Sequence, residues 1–269
     1  MNKCLNIIVY YDNDEEVKKY IYQVASFAMG KVDIALVINK DEKKLASKLI
    51  AEIKEKLSIS VNVYNYGENV GYLNAMLKIV ASRDVDEYSY LILSNTDIIY
   101  NDNKFFEILL HEEYESKIGC IAPNVFSAKT NSYSNPHYKE RISCKKIKRN
   151  IKIFTYPRLA KVYLELANLK AKKIRKKEEE SCYVYSPHGC YMIFTNSFIS
   201  KISGYIYGVK LYSEESCIGE LLRKSNMKCF YDSRLKLVHD ESAVTGKINY
   251  KKRFMLWKES LEYILDEFY

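Results

Sequence analysis

The sequence predicts an α/β fold: a Rossmann-like, mostly parallel central sheet flanked by helices, with a basic helical insertion and a C-terminal helix. Three observations lead there. Short apolar strands alternate with helix-periodic segments through the first hundred residues, the pattern of a parallel sheet covered by helices. Each predicted strand of that stretch ends in polar residues: Tyr11-Asp12, Asn39, Gly67-Glu68-Asn69 and Asn95-Thr96-Asp97. With 269 residues, 48% of them hydrophobic, the chain can bury a full core, and no apolar run reaches membrane-spanning length.

The elements follow in order. Leu5 to Tyr10 reads as a strand. Asp14 to Ala28 carries Val17, Tyr20, Ile21, Val24 and Phe27 at helical spacing. Val32 to Ile38 is a second strand, and Asp41 to Leu57 a helix with Leu45, Leu49, Ile50, Ile53 and Leu57 on one face. Val61 to Tyr64, Gly71 to Ala81 and Tyr90 to Leu93 continue as strand, helix and strand. Asn101-Asp102-Asn103 can cap a helix reaching Leu110.

Beyond a strand at Gly119 to Pro123, Asn124 to Asn150 has poor periodicity and reads as loop. Tyr156 to Lys177 is a basic helix with Leu159, Val162, Leu166 and Leu169 on one side. A strand at Cys190 to Phe194 and a helix at Ser213 to Lys224 follow. Paired strands are expected at Lys228 to Tyr231 and Leu235 to Val238, then a last helix, Asn249 to Phe268. That helix suits the core, a homodimer contact or a membrane face.

Charge is unevenly spread. The net charge is +8, yet residues 139–177 hold 15 Lys or Arg against 2 Glu, leaving 27 basic and 32 acidic residues elsewhere. Such asymmetry speaks to a partner rather than to fold. The helix in this segment pairs its Leu/Val stripe with Lys and Arg, as interfacial helices do, although the stripe would equally suit packing on the core. Nothing resembles a nucleic-acid module, so nucleic acid is not an expected partner. The seven cysteines are scattered, with no C-x-x-C, which argues against a disulfide framework or a zinc site and suggests a reducing cytoplasm. The N-terminal MNKCLNIIVYYDND turns acidic too early for a signal peptide and reads as the first strand.

Four stretches carry candidate chemistry. Asn95-Thr96-Asp97 delivers a carboxylate past a strand, where it can cap a helix or hold a hard cation on a diphosphate. Tyr66 to Asn74 places two glycines around Asn69, as in a backbone passing close to a ligand or a plain β-α turn; it is not G-x-G-x-x-G. Glu214-Glu215 at a helix start complements the macrodipole, or supplies a general base. His239 at a strand end is either structural or a metal ligand, and His188-Gly189 is ambiguous in the same way.

Their order resembles a family 2 glycosyltransferase of the GT-A fold. The chain starts β-α-β. Then come N-x-G about thirty residues before an apolar strand ending N-x-D, G-x-x-M, Y-x-E-E and a late V-H. The likeness is to the bacterial surface-polysaccharide branch, including rhamnosyltransferase-like members, over about residues 4 to 245. It implies one domain, 1–269, with a nucleotide-sugar-binding half (1–123) and an acceptor half (124–269) that includes the basic insertion 139–177.

The resemblance also implies roles. Asp97 would ligate Mg2+ or Mn2+ on the donor diphosphate, and His239 would complete the metal shell. Tyr10, Tyr11, Asp12, Asn39, Asn69, Gly71, Asn74, Asn95 and Thr96 would line the nucleotide-sugar pocket. His188, Gly189 and Met192 would face the acceptor. Glu215, with Glu214, would be the base of an inverting transfer. The donor would be UDP- or dTDP-linked and the acceptor a glycan or polyprenyl diphosphate-linked, met by a cytoplasmic protein at the inner, anionic face of the cell membrane. Asn95 stands where many members have a first acid, Asn39 where many have a base-reading Asp, and Glu215 where Asp is commoner. Two other readings fit less of the sequence. A nucleotidyltransferase would want a basic phosphate loop where Tyr11-Asp12-Asn13-Asp14 is acidic. An inactive sugar- or partner-binding domain would not need Glu214-Glu215.

Overall fold

The computed structural model describes residues 3–11, 13–28, 30–39, 51–53, 59–173, 176–241 and 249–269. Strands β1 (Cys4–Tyr10), β2 (Val32–Ile38), β3 (Val61–Asn65) and β4 (Tyr90–Ser94) form one half of a sheet in the order β3-β2-β1-β4, all parallel. Helices α1 (Asp14–Phe27) and α2 (Tyr72–Ser82) are two of its crossovers. Of the helix expected over 41–57, only 51–53 lie within the described residues, and they are helical.

The other half is mixed. It contains β5 (Ile98–Ile99), β6 (Ile118–Ser127), β7 (Ser132–Tyr133), β8 (Cys182–Val184), β9 (Tyr191–Thr195) and β10 (Lys228–His239), continuing the order β4-β9-β6-β10-β5. β9 runs antiparallel to both β4 and β6, while β6 and β10 are parallel to each other. So β1, β2, β4, β6 and β10 all end at one edge of the sheet, and β9 begins there.

Helices α3 (Lys104–His111), α4 (Cys144–Phe154), α5 (Pro157–Lys173), α6 (Asn196–Lys201), α7 (Glu214–Lys224) and α8 (Tyr250–Phe268) complete the chain. Strand alternation divides the core. Cys4, Ile8 and Tyr10 of β1 and Tyr90 and Ile92 of β4 pack with α1 and α3 on one face. Leu5, Ile7, Leu91 and Leu93 pack with α2, α6 and α7 on the other, as period-two side chains require.

Two expectations are corrected. The stretch read as loop holds α4, started by Ser143, whose hydroxyl accepts the Lys146 N–H. Its buried stripe is short, Ile147 and Phe154 with Ile151 partly covered, and lysines fill the remaining turns, which hides the period. The expected paired strands at 228–231 and 235–238 are one strand. Both parts pair in the same direction with β6, and the register shifts between Asp232 and Lys236. There Asp232 is buried against Arg234 and the Tyr114 hydroxyl, so a bulge takes the place of a hairpin turn.

Candidate active site

The edge where the strands end gathers side chains from distant parts of the sequence. The turn 95–97 leaves β4, and its Asn95 N–H donates to the Cys190 carbonyl at 2.8 Å. β9 starts beside it because Ser94 pairs with Tyr191. Two-residue β5 pairs with the last residues of β10, Ile98 opposite His239, and the Asp240 N–H donates to the Asp97 carbonyl at 3.0 Å. This pairing brings Nε2 of His239 to 3.1 Å from Oδ1 of Asp97.

The turn rests on a buried polar cluster. The Tyr20 hydroxyl lies 2.7 Å from the Ser94 hydroxyl and 3.0 Å from that of Tyr100, which lies 2.8 Å from that of Tyr191; Asn6 donates to Ser94. Satisfied networks of this kind hold one geometry.

Asp97 Oδ1 is buried with no aligned hydrogen bond, its near neighbour being His239 Nε2, and His239 Nδ1, on the other side of the ring, is buried without a hydrogen-bond partner among the described residues. Such orphans are rare and point to a missing partner. Adjacent ligands of an octahedral Mg2+ stand about 3 Å apart, given metal–oxygen distances of about 2.0–2.1 Å, so Asp97 Oδ1 and His239 Nε2, 3.1 Å apart, are spaced as an ion pair or as two ligands of one cation. Among the described residues no cluster of three or more His, Cys, Asp or Glu could hold a metal. Two such residues do not make a closed protein cage, and an ion held by them would keep open positions.

Glu215 reaches the same edge from α7. Its Oε1 accepts the Gly189 N–H at 3.2 Å, while Oε2 has no hydrogen bond among the described residues. A Cβ at Gly189 would stand 2.6 Å from that Oε1. Asp97 and Glu215 both press on Cys190: burial first, then these two carboxylates and that of Glu241, push its thiol well above its ordinary pKa. Glu214 turns inward and accepts the Tyr212 N–H at 3.0 Å. Burial, then the charge of Glu215, raises its carboxyl to about 8.

The backbone before these acids is unusual. Tyr212 and Ser213 have φ of 72° and 60°, in the left-handed region that few side chains adopt. C-terminal α8 holds them there: Ser260 hydrogen-bonds Ser213 at 2.9 Å, and the Trp257 ring packs edge-on against Tyr212. Strain of this kind persists only where neighbours over-determine it.

His188 stands beside Glu215, its ring centre 6.1 Å from His239 and 5.1 Å from His137. Burial, followed by the neighbouring imidazole of His137, lowers its pKa to about 3, and burial lowers His137 to about 4. Both are neutral at ordinary pH.

Of the expected site residues, Asp97, His239, Glu215, Glu214, His188, Gly189 and Asn95 come together. The Asn95 side chain is half-buried and makes no hydrogen bond among the described residues. Tyr11 is exposed at the end of β1, and Asp12 lies outside the described residues.

Others are occupied elsewhere. Tyr10 is buried and donates to Asp14. Thr96 bonds Asn13 and Glu16 at the start of α1. Asn39 accepts the Val70 N–H at 3.0 Å, and Asn69 accepts that of Gly71 at 2.9 Å, so both shape the turn into α2. Gly71 has φ of 87°, and a Cβ there would meet the Lys210 carbonyl at 2.3 Å. Asn74 ties the same loop down by bonding both the carbonyl and the N–H of Tyr207. Met192 is fully buried in the core beneath α7 rather than exposed toward an acceptor.

Sequence reasoning passed over Tyr72. Its hydroxyl is buried without a partner among the described residues. Its pKa is raised well above the ordinary value by burial, then by Cys190, Glu214, Tyr20 and Asp97, which places it amid the site. Its one sequence signal is its position directly after Gly71 at the start of α2.

No protein-family model and no curated protein matches the sequence. Solved structures do. A mannosyltransferase from Pyrobaculum calidifontis, in complex with GDP-Man and Mn2+, superposes with a TM-score of 0.59 at 7% identity, over 90% of this chain and 58% of the other. GalNAc-T7, with UDP, GalNAc and Mn2+, superposes with a TM-score of 0.59 at 14% identity, over 95% of this chain and 48% of the other. The fold is GT-A. The chain spans about half the length of these GT-A neighbours, 58% and 48%.

Proposed function

We propose that this protein is an inverting, metal-dependent glycosyltransferase. It moves a hexosyl or deoxyhexosyl group from a nucleoside diphosphate donor to a hydroxyl of a glycan or a polyprenyl diphosphate-linked acceptor, in bacterial surface polysaccharide synthesis. One observation carries the reading: the Asp97–His239 pair and the Glu215 carboxylate converge around Cys190 at the carboxyl edge of a GT-A sheet, where open α/β sheets bind ligands. The neighbours' complexes with GDP-Man or UDP and Mn2+ support a nucleotide-sugar donor.

Asp97 and His239 would hold Mg2+ or Mn2+. When bound there, such a cation would supply positive charge to offset that developing on the departing diphosphate. The chain does the rest. Asn95 presents its amide beside the diphosphate. Glu215 Oε2 takes the proton of the acceptor hydroxyl as that oxygen attacks the anomeric carbon. The bond from that carbon to the phosphate oxygen breaks, and its electron pair leaves with the nucleoside diphosphate. Attack opposite the leaving group inverts the anomeric centre. Gly189 steadies the base through its N–H, and neutral His188 beside it adds no competing positive charge.

The test is release of nucleoside diphosphate from UDP-, dTDP- and GDP-sugars with Mn2+ and a glycan acceptor. A positioned base is worth about 10² to 10⁴ in rate, so Glu215→Gln should lose that much while donor affinity stays. Equal turnover in that variant removes Glu215 from the mechanism.

A further inference from the structure

Helix α5 carries two apolar stripes. Ala160 and Leu164 face inward, against Phe154, Phe254, Trp257 and Leu261. Leu159, Val162, Leu166 and Leu169 recur at three- and four-residue steps on the roughly opposite side, where the helical period puts them. With Tyr156 just before the helix, these five side chains are 53 to 64% exposed. The core accounts for the inner stripe and leaves the outer one uncovered.

We propose that this outer face of α5 docks onto the anionic surface of a lipid bilayer, with the helix lying in the plane of the interface. Charge chooses the occupant. Lys145, Lys148, Arg149 and Lys152 of α4 and Arg158 and Lys161 of α5 are all exposed, against Glu140 just before α4 and Glu165, which pairs with Lys161. A second copy of the chain, meeting this face symmetrically, would set cations against cations. Apolar residues on one side of a helix with Lys and Arg beside them are what a headgroup layer accepts. Among the described residues no helix is long and apolar enough to cross a membrane, so contact through α5 would be peripheral.

This deepens the proposed function, since a membrane-held protein meets a lipid-linked acceptor, but its test does not depend on it. The full chain is sedimented with vesicles of phosphatidylcholine, and of phosphatidylcholine mixed with phosphatidylglycerol, without donor or metal. Association with the anionic vesicles should be at least tenfold tighter. Leu159→Gln with Leu166→Gln, and separately Lys148→Glu with Lys152→Glu, should each weaken it about tenfold. Both pairs are exposed, so melting temperatures should stay near wild type. No association, equal association with neutral vesicles, or unchanged association of the Leu pair would overturn the proposal. So would a dimer that the Leu pair abolishes in a protein that ignores vesicles. Nucleotide binding measured in parallel stands or falls separately.

Discussion

The Gly189 N–H donates to Oε1 of Glu215 across 3.2 Å, and a Cβ on Gly189 would press on that oxygen at 2.6 Å. The glycine thus both holds the carboxylate and makes room for it. The contact lies at the flexible end of a side chain, so Gly189→Ala should displace the carboxylate and leave the fold intact. Turnover should fall at least tenfold, with nucleotide affinity and melting temperature near wild type. An active Ala variant would mean that Glu215 has freedom the account does not give it.

Glu214 makes stability depend on pH. Burial and Glu215 raise its carboxyl to about 8 in the folded protein, against about 4.3 unfolded. The folded state then binds the proton more tightly. Its stabilising effect is complete below pH 4.3 or so and is lost as pH rises toward 8, with a slope of up to about 1.4 kcal/mol per pH unit. Chemical denaturation across that range should show the decline, and Glu214→Gln should flatten it. A wild-type profile no steeper than the variant's would place the ionised form comfortably in the fold.

Asn39 separates framework from ligand contact. Its side chain accepts the buried Val70 N–H. Asn39→Ala should cost about 1–3 kcal/mol, the penalty of an unsatisfied buried group, measurable by denaturant titration. A change in nucleotide preference with no loss of stability would restore it to the pocket.

Tyr72 should behave in the opposite way. An unpartnered buried hydroxyl is costly, so Tyr72→Phe should stabilise the protein by about 1 kcal/mol while lowering turnover. Stability lost together with activity would show a structural hydroxyl instead.

The first half of the fold was legible because its signals are local. Strand alternation and helical spacing repeat within ten residues, and Asp97 follows a short apolar run that reads as a buried strand. The second half depended on contacts the sequence does not display. The pairing of Ile98 with His239 joins residues 141 apart, and the antiparallel pairing of β9 with β4, Ser94 opposite Tyr191, joins residues 97 apart. Asn39, Asn69 and Asn74 sit where ligand contacts were expected, yet their amides are used by neighbouring backbone, a distinction that residue type cannot carry. The lysines of α4 masked a three-residue apolar stripe, and the exposure of the α5 stripe emerged only once Ala160 and Leu164 were seen to face the core.

The most direct test of the site is thermal melting with UDP, dTDP and GDP, each with and without Mn2+, in wild type and Asp97→Asn. A ligand bound only by the native state at a hundred times its dissociation constant adds about 2.7 kcal/mol, enough to resolve. One nucleotide should raise the melting temperature of wild type only when Mn2+ is present, and Asp97→Asn should abolish the rise. A shift of the same size without metal, or one that survives in Asp97→Asn, would contradict that reading.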